Sequence, residues 1–260
     1  MSVGSSIPVD ASAVLPAEAP EPYRRPVAVG LHLLPGVLFF AGCVIFRPLT
    51  EGLGLPDSLG FTLAGLVLVT PFEFAYLVRR GRGRGRSLRE AVAASVGFRR
   101  KLPVQRLVPL VVALIAFTAV TLAVLSPVSG FLEHHVFEDL PDWMRSGNDD
   151  LAHFSTTVAV VALLLNIVGD CVLSPVAEEL YYRGHLMARL PTGPVTAAVT
   201  GAALFAATHF WEPELVVFVF VVQSVMGLVV RRTGSVRVSV YLHIAVNSIT
   251  TAMTVAALLS

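Results

Sequence analysis

Six stretches of this chain are long and apolar enough to cross a bilayer, and that constrains the fold more than any other feature. A spanning helix needs about 20 mostly apolar residues, because in lipid every backbone polar group must be paired within the protein. Apolar segments can be read at 27–46, 59–78, 103–125, 153–173, 175–190, 194–210, 214–230 and 238–258, and six of these qualify by length alone. The fifth, PVAEELYYRGHLMARL, is short and charged. It is read as a separate span because the chain must pass from the fourth segment to the sixth. Composition agrees. Apolar residues make up 55% of the chain and charged residues 14%, against about 25% charged in a soluble domain. Mean hydropathy is +0.73. An ordinary soluble globule is excluded, since it needs more polar surface than this. So is a disordered chain, which needs low hydrophobicity and high net charge. The expected fold class is all-α: a polytopic membrane helical bundle of about eight transmembrane helices. Cys43 and Cys171 both sit in apolar stretches, so no disulfide framework is implied.

Charge patterning divides and orients the chain. Residues 1–26 carry Pro8, Pro16, Pro20, Pro22 and Pro26 and read as a disordered N-terminal tail without the basic start of a secretory signal. Residues 27–150 hold the N-terminal transmembrane helices, and 151–260 the remainder. Loop 79–101 contains nine of the 19 Lys/Arg residues and one acid, Glu90. It reads as a positive-inside loop touching anionic lipid rather than as a nucleic-acid site. Loop 127–152 is the opposite, with Glu133, Glu138, Asp139, Asp142, Asp149 and Asp150 against Arg145. The basic loop is therefore cytoplasmic and the acidic loop outside. Eight spans return the C-terminal end to the cytoplasm, but put Arg231, Arg232 and Arg237 outside, against the positive-inside bias. Seven spans would put them inside. Eight is preferred because it places Glu178 and His209, on either side of the turn Pro191–Pro194, at one depth toward the cytoplasmic leaflet.

Ionisable groups inside a bilayer are costly and face a partner, a cavity or the bundle interior. Three clusters fall in the last third of the chain: Glu178-Glu179-Leu180-Tyr181-Tyr182-Arg183, Phe205-Ala206-Ala207-Thr208-His209 and His243-Ile244-Ala245-Val246-Asn247. On a helix, Glu179 and Arg183 share a face, and so do His243 and Asn247. Glu178 projects about 100° away from Glu179. Each cluster alone is explained by structure: a buried ion pair, a satisfied core histidine, two interhelical hydrogen bonders. Three together in one membrane region point to a site.

EExxxR, FxxxH and HxxxN, in that order, resemble the CPBP family: type II CAAX prenyl endopeptidases with bacteriocin-processing and abortive-infection relatives. The resemblance covers roughly 150–258, with 26 residues from Arg183 to His209 and 34 from His209 to His243. It implies that 151–260 is a catalytic region that cleaves a peptide bond near a membrane anchor. By the motifs, Glu178 activates water, His209 assists it, His243 and Asn247 stabilise the oxyanion, and Glu179 and Arg183 support them. The implied partners are a membrane-anchored peptide or protein substrate and the lipid bilayer, with no nucleic acid. The chain is short for a eukaryotic prenyl protease, which leaves the substrate class open, and the expected location is multi-pass in a prokaryotic cell membrane.

The chemistry stands beside the resemblance. Amide hydrolysis needs an activated water, an oxyanion donor and a proton for the leaving amine. No Ser or Cys falls within the histidine clusters. A zinc ion held by Glu178, His209 and His243 is the competing mechanism, since catalytic zinc sites keep three protein ligands and an open position. H-E-x-x-H is absent, and the metal-free, glutamic-type route is favoured. Glu133, His134, His135 and Glu138 could form a metal patch, but read as a solvated loop. Asn166 and Asp170 could line the cavity or join helices. Glu73 is a functional candidate by its position in a span, with no partner that can be named. The rival functions are a non-catalytic scaffold or immunity-type binding protein of the same fold, and a transporter using Glu178, Glu179 and Arg183 as an ion relay.

Overall fold

A computed structural model describes residues 20–144 and 151–258. The described residues form an all-α membrane bundle of eight helices. They are α1 (Arg25–Gly52), α2 (Asp57–Gly81), α3 (Leu88–Ser95), α4 (Val104–His135), α5 (Thr156–Arg189), α6 (Pro194–Ala206), α7 (Val216–Thr233) and α8 (Arg237–Leu258). Six of these runs are long and apolar enough to span a membrane, and α6 is a shorter apolar helix. Outward-facing Val37, Val44, Val112 and Val124 give α1 and α4 a lipid-compatible surface. Most of the expected tail, up to residue 19, and Arg145, Asp149 and Asp150 lie outside the described residues.

The eight helices are not the eight expected segments. The fourth and fifth segments are one continuous helix, α5, of 34 residues, and the added helix is the short α3 inside the basic loop. Pro175 does not break α5. A proline ring displaces the carbonyl one turn back, and the stretch Gly169–Leu173 just before it takes up that strain as a π-helical turn. α2 does the same, with a π-turn at Gly65–Val69 followed by Thr70-Pro71. Of the charges that interrupt the hydropathy of α5, Glu179 and Arg183 are carried inside, where they face each other.

This fusion reverses the topology of the last third. The ends of four helices meet on one face. The Tyr23 N–H donates to the Arg189 carbonyl across 2.9 Å, and the Gly97 N–H to Gly184 across 2.7 Å. The Arg100 N–H reaches the Gly234 carbonyl at 2.8 Å, and the Val236 N–H reaches Phe98 at 2.8 Å. His185, buried, ties the same face together, with one ring nitrogen 2.8 Å from the Ser95 carbonyl and the other 2.8 Å from the Tyr23 hydroxyl. The basic loop, the Pro191–Pro194 turn and Arg231, Arg232 and Arg237 therefore share one end of the bundle. Six long apolar helices and the shorter α6 thus bring the hairpin turn and the arginine trio to the same end of the bundle as the basic loop. α6 rises only about 20 Å, less than the roughly 30 Å hydrocarbon core. Residues 207–215 then turn the chain back into α7.

Candidate active site

Helix α5 carries the first cluster. Residues Glu179–Leu186 continue it as a second π-helical stretch, a distortion that recurs at functional sites because it re-aims side chains. Glu179 is fully buried. Its Oε1 accepts from His243 Nδ1 at 3.0 Å and faces Arg183 Nη1 at 3.3 Å. The first cluster is thus joined to the third across 64 residues of chain. Arg183 also donates to the Gln223 side chain, and its guanidinium lies 4.2 Å from the Phe205 ring centroid. Glu178 is half-buried on the adjoining face of the helix. Among the described residues its carboxyl has no hydrogen-bond partner, and its charged neighbours are His243, Glu179, Arg183 and Asp170.

His209 lies just past the end of α6. Its Nδ1 is 3.0 Å from the Phe205 carbonyl. A carbonyl can only accept, so Nδ1 carries the proton, and Nε2 is left as the acceptor in the neutral ring. The ring sits between Phe205 and Trp211, with centroids at 4.6 and 4.5 Å. Trp211 in turn meets Phe39 edge-on, and Phe210 meets Phe40 and Trp143. This aromatic roof joins α1, the loop after α6 and the segment after α4 over the histidine. His243 and Arg183 are the charged groups that act on His209.

Asn247 is one turn beyond His243 on α8. Its Nδ2 donates to the Asp170 backbone carbonyl at 2.7 Å. Asp170 lies in the π-turn of α5, where i→i+5 pairing frees carbonyls from the ordinary ladder. The Asp170 carboxylate is held by Thr62 Oγ1 at 2.5 Å and Asn166 Nδ2 at 2.9 Å. Thr251 Oγ1 donates to Asn166 Oδ1 at 2.9 Å. Asn166 and Asp170 thereby join α5 to α2 and α8 and fix Asn247, and they leave one amide hydrogen of Asn247 free.

His243 and Asn247 are each half committed. Nδ1 of His243 is taken by Glu179, so its Nε2 is the atom left to face a substrate. That atom donates only when the ring is doubly protonated, and the Glu179 carboxylate lies 3.0 Å from Nδ1. Glu178, His209 and His243 do not gather as a metal set. Among the described residues no group of three or more His, Cys, Asp or Glu is placed to hold a metal ion. His134, His135, Glu133 and Glu138 likewise form no such group; the His135 ring stacks on Phe131 at 4.8 Å.

Glu73, unpartnered in the sequence, enters this region. α2 and α5 run parallel, with contacts in register: Thr62 to Asp170, Thr70 Oγ1 to Ser174 Oγ at 3.1 Å, and Tyr76 to Tyr181 and His185. The signal was present in the chain as Gly65-x4-Thr70-Pro71 and Gly169-x4-Ser174-Pro175, two copies of one pattern that face each other.

Residues 160–249 match the family model described as type II CAAX prenyl endopeptidase Rce1-like. Over that stretch, about a third of the chain, the sequence is similar to this family. The stretch begins in α5 and ends in α8, and it contains all three clusters. No curated protein and no solved structure matches the chain. The match supports a CAAX-type intramembrane endopeptidase of the CPBP group, and the six long apolar helices support an integral membrane protein.

Proposed function

We propose that the protein hydrolyses a peptide bond in a membrane-anchored or lipid-modified peptide substrate by direct attack of water. Glu178 and His209 activate the water, and His243 and Asn247 stabilise the oxyanion. One observation carries this reading: His243 on α8 is hydrogen-bonded to Glu179 on α5, beside the unpartnered Glu178. The carboxylate of Glu178 takes a proton from water as the oxygen attacks the carbonyl carbon. The Nε2 of His209 is the second acceptor for that water. Electrons of the carbonyl move to its oxygen, where His243 Nε2–H and the free amide hydrogen of Asn247 donate. When the C–N bond breaks, the leaving nitrogen takes the proton from the Glu178–His209 pair, and both return to their starting states. Glu179 and Arg183 set the ring of His243. The tie to Asp170 sets the amide of Asn247.

The test is a comparison of membrane-protein termini in cells making the wild-type protein and cells making Glu178→Gln. The expected result is a set of termini present only with the wild type, which also identifies the substrate. Identical termini, with equal amounts of both proteins in the membrane, would favour the scaffold reading.

A further inference from the structure

Glu73 presents a problem that the mechanism above does not use. It is 0% exposed, and neither carboxyl oxygen has a hydrogen-bond partner among the described residues. A buried carboxyl without a donor is costly, and more so when charged. The groups facing it from α5 are Glu178, Glu179, Tyr181, Tyr182 and Arg183. Most are already committed. The Tyr181 hydroxyl donates to the Leu31 carbonyl and the Tyr182 hydroxyl to the His32 carbonyl, and each phenol has one proton to give. Arg183 donates to Gln223, and its Nη1 faces Glu179 Oε1 at 3.3 Å as an ion pair without a hydrogen bond. Glu179 accepts from His243. Glu178 alone of these five has no hydrogen-bond partner.

Register brings the two unpaired carboxyls to one level. α2 and α5 are parallel and are clasped at Thr70–Ser174. From the clasp, Glu73 lies three residues on and Glu178 four residues on in the same direction. At 1.5 Å per residue these are rises of about 4.5 and 6 Å. A fully buried carboxylate at the level of a second, half-buried one is disfavoured as a charge, whereas one acid and one carboxylate satisfy each other.

We propose that Glu73 is a positioning residue of the active site: its carboxylic acid donates a hydrogen bond to the Glu178 carboxylate, so that the two groups hold one proton between them. This rests on Glu178 being the water activator. The bond fixes which oxygen of Glu178 faces the water and leaves the other occupied. When Glu178 accepts the proton of water, the pair holds two protons, and it returns to one as the leaving amine is protonated.

Infrared difference spectroscopy of the full chain in lipid nanodiscs at neutral pH tests this without turnover. The wild type should show the carbonyl stretch of a protonated, buried carboxylic acid that shifts in heavy water. Glu73→Gln should remove that band, and Glu178→Gln should displace it by taking away the acceptor. Glu73→Leu controls for folding, because an apolar residue of similar size replaces the buried acid. Absence of the band in wild type, its persistence in Glu73→Gln, or an unmoved band in Glu178→Gln would each overturn the proposal. An inactive protein with a displaced band would instead sink the proteolytic reading alone.

Discussion

Removing the guanidinium of Arg183 should be the most damaging single change to the stability of the catalytic half. Arg183 is 4% exposed and faces a Glu179 that is 0% exposed. Truncation to alanine leaves Glu179 as a buried charge held only by His243 at 3.0 Å and the Ser239 hydroxyl. Breaking a buried pair from one side costs about 3–5 kcal/mol. Loss of the Gln223 bond and of the Phe205 ring contact at 4.2 Å acts in the same direction, while His243 offsets part of the loss. We therefore expect about 4 kcal/mol, nearly a thousandfold in the folding equilibrium and a large share of a typical net stability of about 5–15 kcal/mol. A thermal or denaturant series in detergent reads this directly, and membrane abundance reads it in cells. The decisive form is a double-mutant cycle with Glu179→Gln. If the cost comes from an uncompensated charge, the double mutant should recover about 2 kcal/mol or more relative to Arg183→Ala. A single mutant as stable as wild type, or a double mutant no better than the single, would refute the argument.

Asn247→Ala should lower kcat about 10²–10³-fold, the usual cost of one oxyanion donor, with the folded protein still in the membrane; near-normal turnover removes that role. Single cysteines at Thr192 and Arg237, both exposed, should be labelled only from the cytoplasmic side, and labelling of either from outside contradicts the seven-crossing topology. A Cβ on Gly81 would meet the Ala91 carbonyl oxygen at 1.7 Å, so Gly81→Ala should cost about 1–3 kcal/mol by pushing α3 away, visible as a lowered Tm. Chelator treatment should leave turnover unchanged and elemental analysis should find no stoichiometric zinc; loss of activity restored by added zinc would replace the metal-free route.

The spans themselves were legible because lipid demands long apolar runs, and five of the six long helices match single segments. α5 was not. Hydropathy falls across Glu178, Glu179 and Arg183, and the cause of their tolerance lies 64 residues away at His243 and 40 away at Gln223. Charge alone groups Arg231, Arg232 and Arg237 with the basic loop, and the backbone bonds of Arg100 to Gly234 and Val236 to Phe98 bring them to the same end of the bundle. A hairpin at Pro191–Pro194 brings Glu178 and His209 to similar depth whichever face it occupies, so depth never distinguished the two topologies. Glu73 had no visible partner because its register with α5 depends on a Thr70–Ser174 contact spanning 104 residues. The hydrogen bonds that half-occupy His243 and Asn247 were likewise out of reach, since a backbone carbonyl at Asp170 leaves no mark in the side-chain pattern.

The central claim is that Glu178 activates water within a folded membrane protease. It is tested most directly by reconstituting the purified full chain in lipid with a substrate found from the comparison of termini, and by measuring cleavage by wild type and Glu178→Gln at equal folded concentration. The account predicts that Glu178→Gln binds substrate with an unchanged KM and loses at least about 10²-fold in kcat. Turnover within a few-fold of wild type would contradict it.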